Sequence, residues 1–176
     1  MTPSLRTKGS YLLLSLAVVL MDQWSKWLVE EHLPLHQQME ILPGFLNFTH
    51  VKNTGVAFGL FAANGSNRGT LILTFLGLLA LVVVGVYFWR TSLQERLMLT
   101  SLALILGGAV GNLLDRIAAG SVTDFIDAYL GQYHWHTFNV ADSAITIGIC
   151  LMAVEILLAG KRSAVPADPV DQGSGS

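Results

Sequence analysis

Four long stretches of the chain carry almost no polar residue in their interiors: 10–28, 71–89, 97–115 and 141–159. Each is about 20 residues, the length that crosses a hydrocarbon layer of roughly 30 Å as an α-helix. The pattern predicts four membrane-spanning helices. Polar character returns in two longer connections, 30–69 and 116–140, and in a short turn between the second and third runs. The first long connection contains MEILPGFLNFTHVKNTGVAFGLF, where Pro43 and Gly44 mark a turn and β-branched and aromatic residues partly alternate. That alternation predicts a small strand element. The expected fold class is an all-α membrane protein, four transmembrane helices with a small β element at one membrane surface.

Composition agrees with this pattern. Of 176 residues, 52% are hydrophobic and only 12% charged, against about 25% charged in an average soluble domain. A formal net charge of -2 leaves no basic footprint for nucleic acid, and the single cysteine, Cys150, excludes an internal disulfide framework. The first run begins like a signal peptide, with Arg6 and Lys8 ahead of Tyr11 to Met21. DQWSK then follows where small cleavage-site residues would stand, so the run is expected to be retained as a span. Lysine and arginine gather in short cytoplasmic segments. Arg6 and Lys8 precede the first span, Arg90 and Arg96 flank the turn between the second and third, and Lys161 and Arg162 follow the fourth. Both termini are therefore expected in the cytoplasm and both long connections outside, which makes the β element extracytoplasmic. Residues 1–162 form one expected polytopic membrane domain; the polar, Pro/Gly-rich stretch 163–176 is expected to be a disordered tail.

Candidate chemistry lies in five short segments. In DQWSK, Asp22 and Lys26 are four apart on a helix, in the order that favours an ion pair; Ser25 and Lys26 are adjacent and project about 100° apart, which disfavours a Ser-Lys nucleophile pair. KNTGVAFG, from Lys52, combines Asn53 with Gly55 and Gly59, suiting a tight turn or a close backbone approach to substrate. In GGAVGNLLDR, Gly107 and Gly111 allow close helix contact, while Asn112, Asp115 and Arg116 gather polar groups at the end of the third span. SVTDFID offers Asp124 and Asp127, and FNVAD offers Asn139 and Asp142. Ser121 to Asp124 and Asn139 to Asp142 both have the spacing of a helix capping box, so helix capping is the preferred reading of each acid taken singly. The histidine pairs His134/His136 and His32/His36 lack acids or cysteines at zinc-site spacing, and no metal is expected there.

Depth separates these readings. Asp22, Asn53, Asn112, Arg116, Asp124, Asn139 and Asp142 all map to the outer membrane boundary, while the middle of every span is free of charge. An ion-coupled carrier places ionisable groups near the midplane. A non-catalytic scaffold would account for the packing glycines but not for two aspartates meeting the membrane at one rim. Two carboxylates held close, partly shielded from water, share a proton because both cannot ionise cheaply. That is the apparatus of aspartic peptide hydrolysis.

DQWSK, NTGVAF, GGAVGNLLDR, VTDFI and FNVADSAI, in this order over about residues 11–160, resemble the motif series of the lipoprotein signal peptidase (signal peptidase II) family. The resemblance implies a four-helix membrane bundle with a small extracytoplasmic sheet, in the bacterial inner membrane. It implies an aspartic endopeptidase that removes signal peptides from diacylglyceryl-modified prolipoproteins, cutting just before the lipidated cysteine. Lipid-modified prolipoproteins and membrane lipid would be its partners; it would use no cofactor and act as a monomer. By motif position the catalytic pair would be Asp124 and Asp142, and Asp127 would not belong to it. Asp22, Lys26, Asn53, Gly107, Asn112, Arg116, Asn139 and Ala141 would shape or support the site. The chain departs from the family pattern at Val56, at Gly59 and in HWHTFN, before Phe138, which bears on substrate contacts rather than on the aspartate pair.

Overall fold

The structure is a computed structural model and describes residues 3–55 and 68–163. Val56, Gly59 and all of the tail beyond Ser163 lie outside the described residues. Among the described residues, four helices are long and apolar enough to cross a membrane: α1 (Pro3–His32), α2 (Arg68–Arg90), α3 (Arg96–Ala119) and α4 (Val140–Ser163). Each contains one of the predicted runs. α1 continues past the predicted end at 28 to His32, and α3 past 115 to Ala119.

α3 is the central helix. Within its apolar window 61% of residues are buried, against 6% for α2, whose Leu71, Phe75, Val82 and Val83 are exposed. A helix apolar all round belongs in lipid or in a core, and α2 meets lipid. α3 packs against α1 through Gly107, where a Cβ would come within 2.8 Å of the Ser15 carbonyl and Val18. It packs against α4 through Gly108, where a Cβ would collide with the Ala141 carbonyl. Phe88, Met98, Leu99, Leu102 and Ala103 make a buried apolar cluster, joined by Tyr11 and Met152. At this end Lys8 donates to the Phe88 and Trp89 carbonyls, so the start of α1 and the close of α2 share one end of the bundle.

At the opposite end four antiparallel strands lie in the order β1 (Gln38–Leu42), β2 (Leu46–Asn53), β3 (Val122–Leu130) and β4 (Tyr133–His134). The predicted turn forms at Pro43-Gly44, with Gly44 at φ 81°, a backbone region glycine enters without steric cost. α3 stops where Gly120 adopts the left-handed conformation and its N–H bonds to the Arg116 carbonyl at 3.1 Å. β3 and β4 arise in the second connection, where the sequence pattern gave no strand. Val122, Thr123, Phe125, Ile126 and Tyr129 carry strand propensity, and pairing with β2 from Leu46↔Ala128 to Asn53↔Val122 uses it. The capping box expected at Ser121–Asp124 is accordingly absent: Asp124 lies within β3, opposite Val51.

Candidate active site

β3 and the first turn of α4 supply the two aspartates. Asp124 is 1% exposed, and each of its oxygens accepts an amide: Oδ2 from Asn53 Nδ2 at 2.9 Å, Oδ1 from Asn139 Nδ2 at 2.7 Å. The Asn139 amide also donates to Asn112 Oδ1 at 3.2 Å, and Asn112 Nδ2 donates to Asp142 Oδ1 at 2.7 Å. One run of hydrogen bonds thus links Asn53, Asp124, Asn139, Asn112 and Asp142 across β2, β3, α3 and α4.

The capping box at Asn139–Asp142 does form. The Asp142 N–H bonds to Asn139 Oδ1 at 2.9 Å, and the Asn139 N–H bonds to Asp142 Oδ2 at 3.3 Å. Capping and candidate chemistry therefore coexist in one residue, because the cap holds a half-buried carboxylate at a fixed place on the rim. Both aspartates border one cavity of about 440 Å³, walled by the connection 135–138 and by Ser143, Thr146 and Ile147 of α4. Burial holds the Asp124 carboxyl above the ordinary carboxylate range; the Asn53 amide partly offsets this, and the negative charge of Asp142 adds to it. The arrangement can present a protonated carboxyl and a carboxylate to one bound group.

Beneath this pair lies a buried charge cluster. Lys26 Nζ meets Asp22 Oδ2 at 2.7 Å, Asp115 Oδ2 at 2.8 Å and Asn112 Oδ1 at 3.2 Å. Asp22 Oδ1 accepts the Ala141 N–H at 2.9 Å, so the α1 carboxylate seats the N-terminus of α4. Lys26 reaches neither candidate catalytic acid. Its contact with Asn112 Oδ1 turns the Asn112 amide so that Nδ2 faces Asp142. Gly111 leaves room for Asp22, since a Cβ there would lie 2.5 Å from Asp22 Oδ2.

Of the supporting residues expected from sequence, Asp22, Lys26, Asn53, Asn112, Asn139 and Ala141 join this network directly. Gly107 contributes helix packing one turn away. Arg116 makes no side-chain hydrogen bond or ion pair among the described residues. Sequence reasoning grouped Asp115 with Asn112 and Arg116 but gave it no role in the site, and left out Gln23, whose Nε2 donates to Asp115 Oδ1 at 2.8 Å; the Asn112–Asp115 spacing placed both on one face of α3, which was the available signal. It also left out the tie formed by Glu30, Lys52 and Thr123 between α1 and the sheet. Asp127 lies apart from the pair, buried, accepting from Asn47 and paired with His134 at 2.9 Å.

Comparison with known proteins places these motifs. The family model for signal peptidase (SPase) II matches residues 14–158. The chain belongs to the signal peptidase II family. It is 42% identical to a lipoprotein signal peptidase of Solibacter usitatus over 144 residues, 82% of this chain and 88% of the relative. A lipoprotein signal peptidase of Coxiella burnetii is 45% identical over 150 residues, 84% and 90% of the two chains. A solved bacterial membrane enzyme superposes with a TM-score of 0.74 at 32% identity, covering 85% of this chain and 93% of its own. Signal peptidase II is an aspartic protease family, and the chain is accordingly a membrane peptidase of the aspartic type. The match spans every residue of the hydrogen-bonded run described above.

Proposed function

We propose that this peptidase removes signal peptides from diacylglyceryl-modified prolipoproteins by cutting just before the lipidated cysteine, with Asp124 and Asp142 as its catalytic pair. The observation that carries the assignment is the shared cavity: two carboxyl groups from separate elements, joined through Asn139 and Asn112, face one space beside α4. The curated relatives named lipoprotein signal peptidase supply the substrate class.

Burial favours a proton on Asp124, so Asp124 donates a hydrogen bond to the scissile carbonyl oxygen. The Asp142 carboxylate takes a proton from a water whose oxygen attacks the carbonyl carbon. The tetrahedral intermediate breaks its C–N bond, and the leaving nitrogen takes up a proton from the pair. The products are the signal peptide's new carboxyl terminus and the free amine of the lipidated cysteine; one water is consumed and the pair regains its single proton. Lys26 and Asp22 are positioning residues, holding Asn112 and the start of α4.

Charge supports an orientation with both termini cytoplasmic and the sheet, with the catalytic pair, on the outer side of the bacterial inner membrane. The basic residues Arg90 and Arg96 flank the α2–α3 turn, at the end of the bundle away from Asp124 and Asp142. Every group in the run is contributed by one chain, which supports action as a monomer. Purified protein incubated with a prolipoprotein before and after diacylglyceryl modification tests the assignment. Cleavage of the modified form alone, with the new N-terminus at the cysteine, is expected; cleavage elsewhere or of both forms equally contradicts it.

A further inference from the structure

Asp124 borders a second open space of about 260 Å³, formed by Val51, Lys52, Asn53, Thr54 and Asp124 and closed by His136 and Thr137. No residue from a membrane helix lines it. The first cavity, by contrast, is walled by Ser143, Thr146 and Ile147 of α4. Asn53, Asp124, His136 and Thr137 border both. The two spaces therefore adjoin at Asp124, one on the side of the membrane helix and one over the face of the sheet. Val51 is paired directly opposite Asp124, and residues opposite each other or two apart in a strand share a face. Val51, Asn53 and Asp124 thus make one continuous surface leading away from the membrane helices.

We infer that this sheet-side space is the subsite for the substrate residue that follows the lipidated cysteine, with His136 forming one of its walls. The inference rests on the proposed function and assigns a direction to the substrate within it. A substrate held by an apolar helix and acyl chains before and at the cut must lie on the α4 side. The polar polypeptide that continues beyond the cut must leave the membrane, and the sheet face is the way past Asp124 that no membrane helix borders. Val51 is half-buried and stands over this path without belonging to the hydrogen-bonded run of the catalytic pair. It sets the size of the residue that fits after the cysteine.

The test compares two diacylglyceryl-modified precursors that differ only in the residue after the cysteine, serine or tryptophan, cleaved by the full chain in detergent. Val51→Trp fills the space and is expected to lower kcat/KM for the tryptophan precursor relative to the serine precursor by roughly tenfold, the discrimination a crowded side-chain pocket provides. Val51→Ala opens the space and is expected to shift the same ratio the other way; it carries the test if the tryptophan variant does not fold. Ile147→Trp, on the other cavity, should leave the ratio at its wild-type value. An unchanged ratio in the folded Val51 variants, or a ratio that moves with Ile147→Trp instead, overturns the subsite. Failure of the wild-type chain to cleave either precursor would count against the proposed function itself.

Discussion

A single titration distinguishes Asp124 from a buried polar side chain of no consequence. Its folded pKa is raised above the ordinary value of 3.8, chiefly by burial. A raised value means that the folded protein holds the proton more tightly than the unfolded chain, so the stabilisation is complete below about pH 4 and is lost as pH rises through the folded pKa. Thermal unfolding in detergent, followed across this range, should show wild-type stability falling relative to Asp124→Asn as pH increases. A pH-independent difference would mean that Asp124 does not titrate in its site. Lys26 gives a second prediction. It pairs with both Asp22 and Asp115 in a buried setting, and removing one partner of a buried ion cluster costs about 3–5 kcal/mol. Lys26→Ala should lower the unfolding midpoint markedly and reduce turnover through loss of position; full stability would show that the cluster is hydrated. The Asp22–Lys26 pair was legible because spacing along one helix defines it. Asp115 as a further partner was not, since its role depends on which face of α3 meets α1.

The four spans were legible because lipid imposes length and apolarity on each run separately, without reference to the rest of the fold. β3 was not: its polar register mimics a cap, and only pairing with β2 decides in favour of strand. At FNVAD the cap was legible and does form, which shows that the local signal can be right and incomplete. Close helix contact is the element-level device that sets the site. At Gly108 a Cβ would collide with the Ala141 carbonyl at the start of α4, so Gly108→Ala must push α4, and with it Asp142, away from α3. Overpacking of this kind costs about 1–3 kcal/mol, and cleavage should fall with it. Gly77→Ala is the control, because the nearest atom to its added Cβ is Leu113 Cδ1 at 4.0 Å. Equal activity of the two variants would show that the α3–α4 distance does not position Asp142.

For the molecule as a whole, the proposed sidedness rests on charge and can be measured directly. In a Cys150→Ala background, a cysteine at the exposed Gln132, in the β3–β4 turn, should react with an impermeant maleimide from the outer side of intact spheroplasts; a cysteine at exposed Ser92 should react only after lysis. The reverse pattern would place the catalytic pair in the cytoplasm. The central claim is that Asp124 and Asp142 perform the chemistry rather than only cap and pack. Asparagine at either position nearly preserves shape but sets an NH2 against an amide donor, Asn53 or Asn139 at 124 and Asn112 at 142, so a structural role alone predicts a loss of about 1–3 kcal/mol in stability and near-normal turnover of the folded variant. Loss of a general acid or base lowers the rate by about 10²- to 10⁴-fold. The direct measurement is single-turnover cleavage of a diacylglyceryl-modified prolipoprotein by purified Asp124→Asn and Asp142→Asn, with folding checked by thermal unfolding. Both variants should remain folded and lose cleavage by that factor; a folded variant of either that cleaves at close to the wild-type rate contradicts the aspartate pair.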